Sequence, residues 1–569
     1  MVTLREEVER LALLNRIGVA LSAERNRDRL IETILLESKK LCNADGGTLY
    51  LRTDDDCLRF AIMRTDSLGI ALGGTTGKPI DFTPIPMFDE HGTANQNNVA
   101  SCAAHLKQSI NIPDAYDATG FDFSGTQRFD AKSGYRSKSF LTIPLVNNEH
   151  RVIGVLQLLN AQDPTTGELV EFQADDQRIV ESLASQAAIA LDNQMLLEGQ
   201  RNLLESFIQM IASAIDSKSP YTGEHCERVP ILTLMLAEAA CEITSGPFHE
   251  FSMSEEEWYE LKIAAWLHDC GKVTTPVHVM DKATKLETIW DRIAMVRTRF
   301  EVLMRDARIR MLEAQAAGEN NAQERYEKEL GDLTRQLAFL ERANVGGEFL
   351  SDEAKAEIRN IGAQTYLEGG DERPLLTPEE LDNLCISRGT LTNEERLIIN
   401  GHMVQTIQML EALPFPRNLT RVPEYAGGHH EKMDGGGYPK GIFAGDMSLP
   451  ARMMAIADVF EALTAQDRPY KKGKKLSEAI RIMGFMKKDN HLDPQLLDLF
   501  ISSGIYKVYA EKYLPKRLID EVDEQSILDI EPKPYELPDE PLRKERFKSF
   551  LPEYEPLRRS VLGQSSIPD

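Results

Sequence analysis

The feature that most constrains this chain is a change of pattern at Ser219-Pro220. Ahead of it, short strand-like runs alternate with helix and loop; beyond it, nearly every segment repeats its apolar residues at helical spacing. A length of 569 residues is too great for one ordinary core, so the break predicts two or three domains. Up to about Asn160 an opening helix, with Leu4, Val8 and Leu11 on one face, precedes runs such as GGTLYLRT and RVIGVLQLLN, with a Gly-, Asn- and Pro-containing stretch from Gly73 to Tyr135 between them. That is an α+β pattern. From Ala174 to Ser217 the chain reads as one long helix, and Leu204, Ile208, Ile211 and Ile215 fall at the four-three-four spacing of a coiled-coil seam. Such a helix connects domains and favours a homodimer.

The helical half carries explicit start signals. Ser254 with Glu257, Thr377 with Glu380, and Thr392 with Glu395 fit the capping box, in which side chain and backbone satisfy each other's free donors. Between Asp291 and Arg342, Ile293, Val296, Phe300 and Leu303 form one seam and Leu330, Leu333, Leu337 and Leu340 another. The turn-like AAGENN between them predicts an antiparallel helical hairpin. Beyond Leu514 the chain is rich in Pro and Glu without sustained periodicity, which predicts an extended, wrapping or disordered tail.

Composition narrows the chemistry. A net charge of -25 repels nucleic-acid backbones and anionic membranes, which excludes polymeric DNA or RNA as a natural partner. A small phosphate ester stays open, because bound cations can reverse the field inside one cleft. The seven cysteines contain no CxxC pair and are odd in number, as expected of reduced thiols. The opening MVTLREEVERLALL lacks the apolar run of a signal peptide, and no stretch is apolar enough to span a bilayer, so a cytoplasmic location is expected.

Five of the eleven histidines and two aspartates form a pattern: His225 in YTGEHCERV, His268-Asp269 in AAWLHDCGK, His402 in NGHMV, His429-His430 in GGHHEKMDGGGYP, and Asp458 in AIADVFEAL. Imidazole and carboxylate together suit divalent Fe, Mn, Ni or Zn, and ligand type alone does not separate these metals. The following turn, Asp434-Gly435-Gly436-Gly437-Tyr438-Pro439, permits positive φ and close backbone approach to a ligand.

The segments HHEKMDGGGYPKGI and LPARMMAIADVFEALTAQDRPY resemble the defining region of the HD-GYP phosphodiesterases, a branch of the HD metal-dependent phosphohydrolases. The resemblance covers roughly Asn202 to Ile505. It implies that His225, His268, Asp269, His402, His429, His430 and Asp458 are metal ligands, with Asp269 catalytic and bridging and Lys272 a catalytic, phosphate-contacting lysine. Asp434, Gly435, Gly437, Tyr438 and Pro439 would line the substrate site. Two metal ions are expected, Fe or Mn first and Ni or Zn as alternatives. Tyr221 stands where members with a third ion place a glutamate, and Glu224, directly before His225, would point elsewhere. Two departures stand out: the hairpin separates HDxGK from the third histidine, and HMVQT replaces the family's HPxxG.

The implied reaction is hydrolysis of cyclic di-GMP to linear pGpG, with GMP as a further product; a hybrid cyclic GMP-AMP dinucleotide is an alternative substrate. A silent receptor that only binds nucleotide or a partner protein is the rival reading, and the intact ligand set favours the enzyme. The stretch NIPDAYDATGFDFSGTQRFDAKSGYRSKSFLTIPL resembles nucleotide-binding GAF domains, which implies a regulatory small-molecule or cyclic-nucleotide site near Asn111, Asp114, Phe121, Asp130 and Tyr135. The expected architecture is a multidomain chain. A GAF domain of antiparallel sheet and flanking helices occupies 1–173 and a linking helix 174–218. An all-α HD-GYP domain, with its inserted hairpin at about 291–342, follows over 219–513, and the tail covers 514–569.

Overall fold

The computed structural model describes residues 2–218, 225–347, 349–465, 473–541 and 543; Tyr221 and Glu224, which bear on a third ion, lie outside them. One compact unit ends at Leu204 and a second begins at Glu205. The first contains helices α1 (Val2–Ala23), α2 (Arg27–Leu41), α3 (Val99–Leu106) and α4 (Ser124–Ser133). Its strands are β1 (Ala44–Arg52), β2 (Cys57–Thr65), β3 (Ile70–Gly73), β4 (Ile85–Pro86), β5 (Ile110–Ile112), β6 (Phe140–Val146), β7 (Val152–Gln162) and β8 (Leu169–Val170). All pair antiparallel in the order β3-β2-β1-β7-β6-β5, with β4 on β2 and β8 on β7.

The period of two along β1 decides which face is which. Leu49 and Leu51 enter a core with Leu30, Ile34 and Leu35 of α2, while Tyr50 packs on the other face with Leu58, Met87 and Val155. Helix α5 (Ala174–Lys218) closes the first core with Val180, Leu183, Ala187 and Leu191. Further along α5, Ile208 and Ile215 are buried, whereas Leu196, Leu203, Phe207 and Met210 are exposed. The face open for pairing is therefore this second stripe rather than the whole of the seam read from Leu204 to Ile215. Ile208 and Ile215 are used inside the chain.

Among its described residues the second unit is helical apart from one two-stranded hairpin. It comprises α6 (His225–Glu242), α7 (Glu255–Leu267), α8 (Val277–Met280), α9 (Ile293–Ala316), α10 (Ala322–Val345) and α11 (Asp352–Gly362), then β9 (Thr365–Glu368) and β10 (Asp371–Pro374). There follow α12 (Pro378–Leu384), α13 (Asn393–Asn400), α14 (His402–Glu411), α15 (Val422–Gly427), α16 (Leu449–Thr464), α17 (Leu476–Lys488), α18 (Pro494–Ser502), α19 (Ile505–Tyr513) and α20 (Glu524–Leu528). All three capping boxes form, at the starts of α7, α12 and α13. The hairpin α9–α10 has its own core, in which Val296, Phe300, Leu333 and Leu340 meet Ile358 and Ile361 of α11 and Leu384 of α12. The insertion is thus larger than a bare hairpin. After α20, the Lys533 amide donates to the Lys488 carbonyl and the Asn490 amide side chain to the Lys533 carbonyl, which ties this segment to the end of α17.

Candidate metal centre

The seven metal-ligand candidates converge from five places along the chain: the start of α6, the turn after α7, the start of α14, the turn after α15 and the middle of α16. Helix α7 ends at Leu267 and the chain turns through His268 and Asp269 into the 3-10 turn Cys270–Thr274. Gly271 makes that turn possible beside α14, because a Cβ there would lie 2.0 Å from the His402 carbonyl oxygen and 2.5 Å from the Thr406 nitrogen. The Gly271 amide instead donates to Thr406 Oγ1 at 2.9 Å. Bare backbone against α14 is what brings His402 up to Asp269.

Asp269 is 1% exposed and its two oxygens face different partners. Oδ2 lies 3.4 Å from His225 Nε2 and 3.2 Å from His268 Nε2, while Oδ1 lies 3.2 Å from His402 Nε2 and 4.0 Å from His429 Nε2. Asp458 Oδ1 completes the first set, 3.2 Å from His225 Nε2 and 3.9 Å from His268 Nε2. The ligand atoms form two groups, His225-His268-Asp269-Asp458 and Asp269-His402-His429-His430, each with every atom within 4.8 Å of the others. Asp269 belongs to both.

Local hydrogen bonding fixes how the rings point. His268 Nδ1 donates to the Ala265 carbonyl at 2.7 Å, His402 Nδ1 to Ile399 at 2.5 Å, and His429 Nδ1 to Ala426 at 2.7 Å. Using Nδ1–H in this way leaves each Nε2 lone pair facing the centre. Those three Nε2 atoms and Asp269 Oδ1 are buried with no hydrogen-bond partner. A buried orphaned acceptor is costly, and four of them around Asp269, divided between the two groups, fit divalent cations.

The protonation states of His429, His430 and the two aspartates agree with that fit, whereas His225, although burial opposes it, is raised well above the usual histidine range by Asp269, Asp458 and Glu461, so a cation binding there would have to displace a proton. Burial, and then the neighbouring His268, lower His429 to about 4. Burial, with His429 and His402, holds His430 well below the usual range, so both rings stay neutral. Burial opposes ionisation of Asp269 and Asp458, but Lys272 and His268 at the first and His225 at the second outweigh it and keep both carboxyls ionised. Lys272 is ion-paired with Asp269, and despite burial Asp269 and Asp458 raise its pKa. At the far end of the same turn, Lys218 of α5 donates to the Lys272 carbonyl at 3.2 Å and the Thr275 carbonyl at 2.7 Å.

Of the glycine-rich loop, Tyr438 lies at the centre, its ring stacked on His430 with centroids 4.8 Å apart. Asp434 Oδ1 accepts from the Gly436 amide, Gly435 has φ +75° under the Phe443 ring, and Pro439 follows Tyr438. Gly437 passes so close to Glu431 and Lys432 that a Cβ would lie 2.4 Å from the Lys432 nitrogen. Glu431 braces the loop, its oxygens accepting from the Lys440 amide at 2.8 Å and the Ile442 amide at 3.1 Å. Burial pushes its carboxyl up to about 7, although those amides pull the other way.

In the first unit the five candidate ligand residues are spread out and engaged internally. Asn111 donates to the Phe172 carbonyl, and Asp114 pairs with Arg136. Asp130 accepts from Ser137 and Tyr116, Tyr135 donates to Asp45, and Phe121 packs near Phe123. Two residues at the metal centre escaped the sequence reading, Glu461 and Arg228. Glu461 sits one helical turn after Asp458, which hints at a shared face, but its partner His225 is 236 positions away.

Residues 26–191 match the GAF domain and residues 375–496 the HD domain. The HD match begins downstream of α9–α11, so His225, His268 and Asp269 precede it. The chain is 39% identical over 177 residues to 3'3'-cGAMP-specific phosphodiesterase 1 of Vibrio cholerae, covering 30% of this chain and 39% of that protein. It is 39% identical over 130 residues to cyclic di-GMP phosphodiesterase PA4108 of Pseudomonas aeruginosa, covering 23% and 30%. Over 401 residues it is 22% identical to 3'3'-cGAMP-specific phosphodiesterase 3 of Vibrio cholerae, covering 68% and 61%. The chain thus spans between 30% and 61% of the length of these relatives. Fold and centre define a GAF domain followed by an HD domain with a divalent-metal site. The relatives it matches carry the names of phosphodiesterases specific for 3'3'-cGAMP or acting on cyclic di-GMP. Among the described residues no helix is long and apolar enough to cross a membrane.

Proposed function

We propose that this chain is a cytoplasmic two-metal phosphodiesterase that opens cyclic dinucleotides, with activity governed by its GAF domain. One observation carries the reading: Asp269 divides the seven ligands into two sets of four by presenting one oxygen to each. Two divalent ions, Fe or Mn first, would supply an activated water and neutralise charge on the phosphoryl oxygens. The protein's own groups do the rest. His225, His268 and Asp458 would hold one ion and His402, His429 and His430 the other, with Asp269 offering one oxygen to each. Lys272 exchanges part of its ion pair with Asp269 for a phosphate oxygen as charge develops there. Tyr438, stacked on His430, walls the site and orients the dinucleotide.

Cyclic di-GMP and hybrid cyclic GMP-AMP both remain in the substrate class, since relatives of each specificity reach 39% identity. The linear dinucleotide is the first product and the mononucleotide the second. Regulation is supported by Lys218, which joins the end of α5 to the turn carrying Lys272. The proposed homodimer pairs the exposed stripe Leu196, Leu203, Phe207 and Met210, which follows seven-four-three spacing. A small-molecule or cyclic-nucleotide ligand at the GAF domain completes the scheme. The test is anaerobic purification, metal analysis and a panel of cyclic dinucleotides. Two ions per chain and turnover of at least one dinucleotide are expected; a metal-loaded chain that binds a dinucleotide without cleaving it establishes the silent receptor instead.

A further inference from the structure

The backbone holds three of the ligand imidazoles in orientation. His268, His402 and His429 each donate Nδ1–H to the carbonyl three residues earlier, an acceptor no substitution removes. His225 is held differently. It is the first residue of α6, and its Nδ1 lies 2.5 Å from Glu461 Oε2. The other oxygen of Glu461 lies 2.9 Å from Arg228 Nε, so one carboxylate, only 1% exposed, ties the first turn of α6 to α16. Asp458 stands on the same face of α16, three residues before Glu461, and its own oxygen faces His225 Nε2 at 3.2 Å. The ring is thus held between two carboxylates of one helix, Glu461 behind it and Asp458 before it.

A carboxylate behind an imidazole fixes the tautomer and strengthens the opposite nitrogen as a ligand more than a neutral carbonyl does. We infer that Glu461 is a positioning residue for the ion held by His225, His268, Asp269 and Asp458, and that this site depends on it while the His402-His429-His430 site does not. The inference rests on the two-metal reading. It makes the two sites unequal: His402 and His429 of one are oriented by the backbone, whereas in the other only His268 is, and the aim of His225 depends on a side chain 236 positions away.

The experiment uses the full chain, stripped with chelator and titrated anaerobically with Mn2+ by equilibrium dialysis. The wild type is expected to bind two ions. Glu461→Gln, which keeps the volume and an acceptor but loses the charge, should weaken one ion about tenfold, and Glu461→Ala the same ion up to about a hundredfold. The second ion should hold its affinity within about twofold in both variants. Urea unfolding of the metal-free proteins accompanies the titration; Glu461→Gln leaves the largely buried Arg228 with a neutral partner and should lower the midpoint while unfolding stays a single cooperative step, so that the loss of one ion is not loss of the fold. Two ions at wild-type affinity in Glu461→Gln would overturn the inference, as would equal weakening of both. A wild type that never binds a pair sinks the two-metal reading itself, and the positioning role with it.

Discussion

Replacing Gly271 by Ala tests the approach of backbone to backbone that assembles the centre. The new Cβ would lie 2.0 Å from the His402 carbonyl oxygen and 2.5 Å from the Thr406 nitrogen, where real Cβ atoms essentially never come under 3.0 Å. Both obstacles are backbone of α14, so no rotamer change relieves them. The helix or the turn must retreat by about 1 Å, the difference between 2.0 and 3.0 Å, and His402 is the first residue of that helix. Overpacking of this kind costs about 1–3 kcal/mol, and a misplacement of about 1 Å at a reacting centre lowers rate by roughly a hundredfold. The assay pairs urea unfolding with turnover of cyclic dinucleotide and Mn2+ binding. Gly331→Ala on α10, where a Cβ meets nothing within 4 Å, is the control and should be neutral or slightly stabilising. Wild-type stability and turnover in Gly271→Ala would refute the reasoning.

Lys272→Ala should keep both ions but lower kcat by at least about tenfold, because the lysine acts on charge that develops in the transition state; metal analysis beside steady-state kinetics checks this, and an unchanged kcat removes Lys272 from the mechanism. His491 gives a pH signature: burial, and then Lys432, lower it to about 4, against an ordinary value of 6.5. The unfolded chain therefore binds this proton first, so the contribution is fully present above pH 6.5 and is lost as pH falls towards 4. Between pH 7.5 and 5 the wild type should lose about 1–2 kcal/mol more than His491→Asn in urea unfolding, and equal losses would contradict the assignment.

Much of the candidate centre was legible because the histidines and aspartates that converge there sit in short motifs whose residue types have few other uses together. His268-Asp269 and His429-His430 are adjacent in sequence, and the capping boxes of α7, α12 and α13 are local by nature. What could not be read depends on distance along the chain. Glu461 looks like any helical carboxylate until α6 brings His225 against it, and Gly271 reads as a turn residue until α14 is seen to leave no room for a side chain. The seam on α5 misled for a related reason: periodicity shows that a face is apolar, not whether it is covered by the same chain, and Ile208 and Ile215 are. Helix α11 and the β9–β10 hairpin are short and highly charged, so their pattern is weak, yet Ile358 and Ile361 complete the core of the insertion. In the GAF region, Asp130 and Tyr135 have the polar character of ligand contacts, and each is engaged in holding the fold, at Ser137 and Asp45.

The most direct test of the account is the position of the ions themselves. Anomalous diffraction from crystals of the anaerobically Mn-loaded protein should show two peaks beside Asp269, one contacting Oδ2 with His225, His268 and Asp458, the other contacting Oδ1 with His402, His429 and His430. A single peak, or two that do not share Asp269, would contradict it.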